Sequence, residues 1–368
     1  MKAKQKFISV KDTTIPYVEF VKRFSTERKA FVYLERIRWR DGVVCPFCGE
    51  TITYPCNRKG ERGYHECSRC RKVFTVRTGT IFERSHVPLT KWLYACYKVI
   101  TSRKGISSIQ LALDIGVTQK TSWFMLQRLR MACVQTMDVD KMLRNVVEAD
   151  AAYFGGKEKN KHESKKLKKG RGAVGKVAIL GAKERGGRVG AKVILDTGKD
   201  TVHGTLKDMV DKDATLMTDE HSSYDGVPFS NHKIVRHAVK EFVNGMASTN
   251  EIESVWSILK RGWVGIYHHF SQKHIQLYVN EFCFRLNEGR CDVKLDERIK
   301  SMCFFSLKKT HLSYKELLTR DGDNLEFTHF LSSEMQRALE NEGRSTFRQV
   351  AFSGCLEENS EGLQRGLR

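Results

Sequence analysis

The chain has 368 residues, 40% hydrophobic and 29% charged, enough for two or three cored domains and too apolar for global disorder. Lysine and arginine number 64 against 43 aspartates and glutamates, and the net charge of +21 points to a polyanionic partner, nucleic acid first. No stretch approaches the roughly 18–20 apolar residues of a membrane span, and the opening MKAKQKFISVKDTT lacks a secretory apolar core, so a reducing cytoplasm is expected.

The first unit, residues 1–84, reads as an N-terminal helix followed by a metal-bound ribbon. CPFCGE supplies Cys45 and Cys48, and CSRCRKVF supplies Cys67 and Cys70, a C-x2-C-x18-C-x2-C spacing. Each C-x2-C places two thiolates on one tight knuckle, and two knuckles close a tetrahedron around one structural Zn²⁺. Cys56 lies between the pairs as a bystander, and most of the other cysteines read as small core residues.

Residues 85–140 carry SSIQLALDIGVTQKTSWFMLQRLRMAC. Ile109, Leu111, Ala112 and Ile115 have helical spacing, Gly116 to Thr118 form a short turn, and Thr118 caps a second helix beginning at Gln119. This is a helix-turn-helix pattern, and it also suits a plain helical hairpin. On the DNA-binding reading Gln119, Lys120 and Ser122 stand at the groove-facing start of the second helix.

From residue 141 to about 290 the periodicity changes. NVVEAD reads as a strand ending in Asp150, and two more strands flank a turn at Gly186 and Gly187. A helix over HGTLKDMVDKD, a strand over ATLMTDE ending in Asp219, a strand over HKIVRHAV and a final helix complete a mixed α/β sheet. Residues 157–176 hold nine Lys or Arg against two Glu, and Lys165, Lys166, Lys168 and Lys169 in this stretch suit a loop on a phosphate backbone.

The final helix, TNEIESVWSILKR, decides the chemistry. Ile252, Val255, Trp256 and Leu259 make one apolar stripe, with Glu253 one step beside it. Capping is the competing role for both glutamates, through Ser248 with Glu251 or Asn250 with Glu253. Lys260 lies nearly two turns above Glu253, about 10.5 Å along the axis, too far for an i,i+4 pair but placed with Arg261 for an extended anion. Asp150, Asp219 and Glu253 together offer hard oxygen donors suited to two Mg²⁺ or Mn²⁺ ions.

VVEADAAYFGGKEK, TLMTDEHSSY and STNEIESVWSILKRGWVGIYHHFSQKHIQLYVNEFCFRLN resemble the signature blocks of DDE transposases. They are most similar to a prokaryotic insertion-sequence family with an N-terminal zinc ribbon, related to the eukaryotic Merlin transposases. The resemblance implies a ribonuclease-H-like catalytic domain with Asp150, Asp219 and Glu253 as metal ligands, Lys260 as the basic residue that follows, and Asn250 as a lesser candidate for the third position. Glu251 matches no family position and is left as a cap or surface residue. The implied activity is metal-dependent cleavage at terminal inverted repeats, then attack of the freed 3′-hydroxyl on target DNA. Double-stranded DNA would be the partner, a homodimer or larger complex the working form, and the bacterial nucleoid the place. Two positions depart from the family pattern: Ala151 stands where a glutamate is usual, and Ser248 where histidine is frequent. Rival readings are a zinc-ribbon DNA-binding regulator without catalysis, and a nuclease without strand transfer. Residues 291–368 read as a C-terminal tail, partly helical or disordered.

Overall fold

The computed structural model describes residues 15–58, 61–134, 142–156, 162–166, 173–235, 248–268, 270–288, 293–308 and 313–319. Two helices, α1 (Tyr17–Arg23) and α2 (Glu27–Arg38), precede a three-stranded antiparallel sheet of β1 (Thr53–Arg58), β2 (Glu61–Cys67) and β3 (Val73–Phe74). Thr26 caps α2 by accepting from the Lys29 amide. Three helices follow: α3 (Leu89–Thr101), α4 (Ser108–Ile115) and α5 (Gln119–Ala132). The expected boundaries of the last two hold. Ser107 and Thr118 supply the N-caps, and Gly116 closes α4 in the left-handed region at φ 59°, where a side chain would be strained. Of the four helically spaced apolar residues Leu111, Ala112 and Ile115 are buried, whereas Ile109 is 63% exposed.

The second sheet has the order β6-β5-β4-β7-β8, built from β4 (Val146–Phe154), β5 (Val177–Glu184), β6 (Val189–Ile194), β7 (Thr215–Thr218) and β8 (Asn231–Ile234). β4 pairs antiparallel with β5 and parallel with β7, so it is the central strand. Gly186, with φ 68°, lies in the β5–β6 turn as expected. Helix α6 (Lys199–Met209) covers one face, where Val202 and Leu206 join Val147, Ala149 and Leu216 in a core. Helices α7 (Asn250–Gly262) and α8 (Ile275–Asn287) cover the other, packing against Ala152, Phe154 and Ile179. The alternation along β4 sorts its side chains between these two cores.

The edge strand β6 is closed by side chains of α8. Gln276 accepts from the Val193 amide at 2.6 Å, and Asn287 both accepts from and donates to Val189 at 2.8 and 2.9 Å. These bonds occupy backbone groups that would otherwise template pairing with another chain. Below them α8 meets α5 through a buried ion cluster. Arg130 pairs with Glu281 at 2.6 Å with both side chains 2% exposed or less, and Arg285 reaches the same carboxylate at 3.1 Å.

Helix α9 (Leu295–Lys308) belongs to the segment set apart as a tail, but it returns to the N-terminal core. Its Ile299, Met302 and Cys303 are buried with Leu34, Phe82, Trp92 and Leu129, because an apolar stripe on a helix must be covered somewhere. Ribbon, helical region and α9 thus share one core. Residues 291–292, 309–312 and 320–368 of the expected tail lie outside the described residues, as do Lys168 and Lys169 and residues 236–239 of the expected fifth strand.

Candidate active site

The four expected cysteines converge. Cys45 Sγ lies 3.7 Å from Cys70 Sγ, Cys48 Sγ lies 3.4 Å from Cys67 Sγ, and all four sulfurs fall within 4.8 Å of one another. A tetrahedral Zn²⁺ with bonds of about 2.3 Å sets its sulfurs about 3.8 Å apart, so the cluster fits one ion. Both knuckles fold alike: the Gly49 amide donates to the Cys45 carbonyl and the Arg71 amide to that of Cys67. Gly49 and Arg71 turn the chain at φ 76° and 56°.

Asp150 lies inside β4, not at its end, because the alternation of Ala152 and Phe154 carries the strand four residues further. Asp219 directly follows β7, the parallel neighbour of β4, and its Oδ1 accepts from the His221 amide at 3.1 Å. Asp150 Oδ1 accepts from the Ala151 amide at 2.7 Å, and Oδ2 from the Trp256 indole at 3.0 Å. Trp256 therefore holds a strand carboxylate from a helix, a role its place in the apolar stripe had hidden. Gly181 makes the room: it faces Asp150 in the β4–β5 ladder, and a Cβ there would meet the Trp256 ring at 2.6 Å.

Glu253 is exposed one turn before Trp256, and its Oε1 accepts from the Thr249 hydroxyl at 3.1 Å. Burial lifts the Asp150 carboxyl to about 6, with Asp219 and then Glu253 adding to the rise through their charges. Three like charges thus act on one half-buried place, and among the described residues no lysine or arginine pairs with Asp150 or Asp219. That donor set suits hard divalent cations. The three carboxylates do not all lie within single-ion distance of one another.

The helix cap is one sequence reasoning missed. Glu148, fully buried on β4, accepts from the Glu251 and Ile252 amides at 2.7 and 3.2 Å. Its other oxygen takes Arg185 at 2.8 Å and the Ser248 hydroxyl at 3.2 Å. A carboxylate from the sheet therefore satisfies the first amides of α7 and seats the helix two residues along the strand from Asp150. Ser248 does not act through a capping box with Glu251; it bridges Glu148 and Arg185. Glu251 clasps the β5–β6 turn, accepting from the Gly186 amide at 3.1 Å and lying 3.5 Å from Lys183. Asn250 is the first residue of α7 and is exposed.

Of the expected DNA contacts, Lys260 and Arg261 are exposed in the last turn of α7. Gln119 and Lys120 are exposed at the start of α5, Gln119 being tied to the Ser108 hydroxyl at 2.8 Å. Ser122 is a correction: it is fully buried, since the helix period turns it inward, and a side chain there cannot reach a base edge. Lys165 lies in a short 3-10 turn, and Lys166 pairs with Glu163 at 2.6 Å.

Among known proteins, the ISXO2-like transposase domain matches residues 142–287 and the transposase zinc-ribbon domain residues 25–73. An uncharacterized protein in transposable element ISH50 of Halobacterium salinarum is 31% identical over 283 residues, covering 72% of this chain and 92% of that protein. No solved structure matches. No helix among the described residues is long and apolar enough to cross a membrane. A mixed sheet bearing strand-borne aspartates, behind a four-cysteine ribbon, is thus accompanied by both sequence signatures, and the chain belongs to the ISXO2-like, zinc-ribbon-bearing family of insertion-sequence transposases.

Proposed function

We propose that this protein is a DNA transposase of the DDE type, cutting DNA at the terminal inverted repeats of its element and joining the 3′-hydroxyl ends to target DNA. The observation that carries the reading is the electrostatic crowding at Asp150, a half-buried carboxylate raised to about 6 by burial and by Asp219 and Glu253. The strand order β6-β5-β4-β7-β8, with an antiparallel hairpin followed by two parallel strands, supports a ribonuclease-H-like domain. Asp150, Asp219 and Glu253 would hold two divalent ions, Mg²⁺ or Mn²⁺, with Asn250 the lesser candidate for the third position. Such ions supply activation of the attacking oxygen and neutralisation of charge at phosphorus.

The chain's own residues do the rest. Trp256 orients Asp150 through its indole, and Glu148 fixes the helix that carries Glu253. Lys260 and Arg261, exposed on the last turn of that helix, contact the phosphate backbone near the cut. The helix pair α4–α5 acts as a helix-turn-helix unit, with Gln119 and Lys120 at the DNA and Ser122 left out. Lys165, Lys166, Lys168 and Lys169 add a second backbone contact. Two ends must be joined together, so the working form is a dimer or larger.

The test is a strand-transfer reaction. Labelled end DNA is incubated with a supercoiled plasmid and Mn²⁺, with wild type and Asp219→Asn compared. Joined product in the wild type alone supports a transposase. Nicking without joining favours a nuclease, and DNA binding equal in both proteins without any nicking favours a regulator.

A further inference from the structure

We propose that the cleft between residues 84–88 and the start of α5 seats one sugar–phosphate strand of the end DNA, with Arg84 gripping a phosphate across from Gln119 and Lys120. The inference rests on the helix-turn-helix reading of α4–α5 given above. The cleft has a volume of about 470 Å³. Arg84 and His86 stand on one bank, Thr118 and Thr121 on the other, and the buried Trp92 and Met125 form an apolar floor. Basic and hydroxyl-bearing walls over an apolar floor match a strand whose phosphates are charged and whose deoxyribose is not.

The loop is held by its backbone. Arg77 donates to the Ser85 and Val87 carbonyls at 3.0 and 2.9 Å, and Arg128 to those of Ile81 and Glu83 at 2.7 and 2.9 Å. The Ser85 hydroxyl accepts from the Trp92 indole at 3.1 Å and from the Val87 amide at 3.2 Å. The neighbouring carboxylate of Glu83 accepts from the Gly79 amide at 3.0 Å. Arg84 and His86 are exposed, and among the described residues neither side chain has a hydrogen bond or an ion pair. Arg84 also sits in the left-handed region at φ 53°, where glycine is at ease and a β-carbon is strained. An arginine kept at such a position is kept for its side chain, and among the described residues no packing or pairing uses it. On the other bank Thr118 caps α5 and fixes its first turn, and Lys91 Nζ, 3.1 Å from the Gly116 carbonyl, adds positive charge beside it. A phosphate strand supplies the counter-charge that both banks lack.

Zinc-loaded full-length wild type, Arg84→Gly, Arg84→Lys and Lys120→Ala are compared in binding to a labelled terminal-repeat duplex and to an unrelated duplex. Binding is read without divalent cations at several salt concentrations, and each protein is also melted. Arg84→Gly should bind both duplexes about 10-fold more weakly, with the log–log salt slope lower by about 1. Its melting temperature should be unchanged or higher, since glycine relieves the backbone, and Arg84→Lys should keep the wild-type slope. Wild-type affinity and slope in Arg84→Gly, while Lys120→Ala binds more weakly, overturn this proposal alone. A loss confined to the terminal-repeat duplex, with an unchanged slope, also overturns it and makes Arg84 a reader of base edges. A loss that Arg84→Lys shares in full, slope included, does the same, because the charge is then not what the DNA meets. Wild-type binding by both Arg84→Gly and Lys120→Ala overturns the helix-turn-helix reading together with it.

Discussion

Asp150→Asn should stabilise the protein in the absence of divalent cations, by an amount that grows with pH. The wild-type carboxyl is lifted from 3.8 to about 6, so the folded state keeps its proton to higher pH than the unfolded state. Folding stability therefore falls as pH rises between those values, and above about 6 the full cost of ionising a crowded, half-buried group is present. A lift of that size corresponds to about 3 kcal/mol, and about 1.4 kcal/mol of it accrues between pH 5 and pH 8. Asparagine carries no such dependence. It does have one acceptor oxygen where aspartate has two, so either the Ala151 or the Trp256 bond is lost, at about 1 kcal/mol independent of pH. The variant should thus gain on wild type by about 1.4 kcal/mol from pH 5 to pH 8, a relative shift of roughly 3–5 °C in melting temperature. The assay is thermal unfolding of zinc-loaded protein at several pH values without magnesium or manganese. A difference between the two proteins that stays constant over that range, or that shrinks as pH rises, would refute the reasoning.

Glu148→Ala should cost about 3–5 kcal/mol, because it strips the first amides of α7 of their acceptor and leaves Arg185 without its buried partner; a melting temperature near that of wild type would contradict this. Glu281→Gln should destabilise by a similar 3–5 kcal/mol in denaturant titration, since Arg130 and Arg285 would remain buried beside a neutral amide. Cys67→Ser should abolish stoichiometric zinc, read by atomic absorption, and loosen the ribbon; one retained zinc per chain would count against the four-cysteine site. For Lys260→Ala, binding to end DNA should weaken and the log–log salt slope should fall by about 1, and an unchanged slope would remove the phosphate contact.

Local patterns carried much of this architecture. The C-x2-C pairs converge because two residues of spacing already set two sulfurs on a knuckle, and only the meeting of the knuckles is tertiary. Ile252, Val255, Trp256 and Leu259 are all buried because a 3.6-residue period is a property of the segment itself. Glu148 was not legible in the same way. It sits among Val146, Val147 and Ala149 in a strand, and its role exists only through Arg185, Ser248 and the amides of a helix more than 100 residues later. Burial of Ser122 and exposure of Ile109 were missed for a related reason. Helical spacing groups Ile109 with Leu111, Ala112 and Ile115, but which residues at the margin of a stripe face the core depends on how α4 and α5 meet α3 and α8. The return of Leu295–Lys308 to the N-terminal core follows from a long-range contact with no local signature. At the acidic site, Asp150 and Asp219 were placed by strand pattern and resemblance together, and the Trp256 bond and the Gly181 clearance came only with the packed structure.

The central claim is most directly tested by nicking of labelled end DNA with Mg²⁺ or Mn²⁺, comparing wild type, Glu253→Gln and Glu251→Gln. These neighbours differ sharply in surroundings: Glu253 adds its charge to Asp150, whereas Glu251 clasps the β5–β6 turn. Loss of nicking in Glu253→Gln, with Glu251→Gln cutting at a rate within a few-fold of wild type, is the result the account predicts. Full nicking by Glu253→Gln would contradict it and turn attention to Asn250 as the third metal ligand.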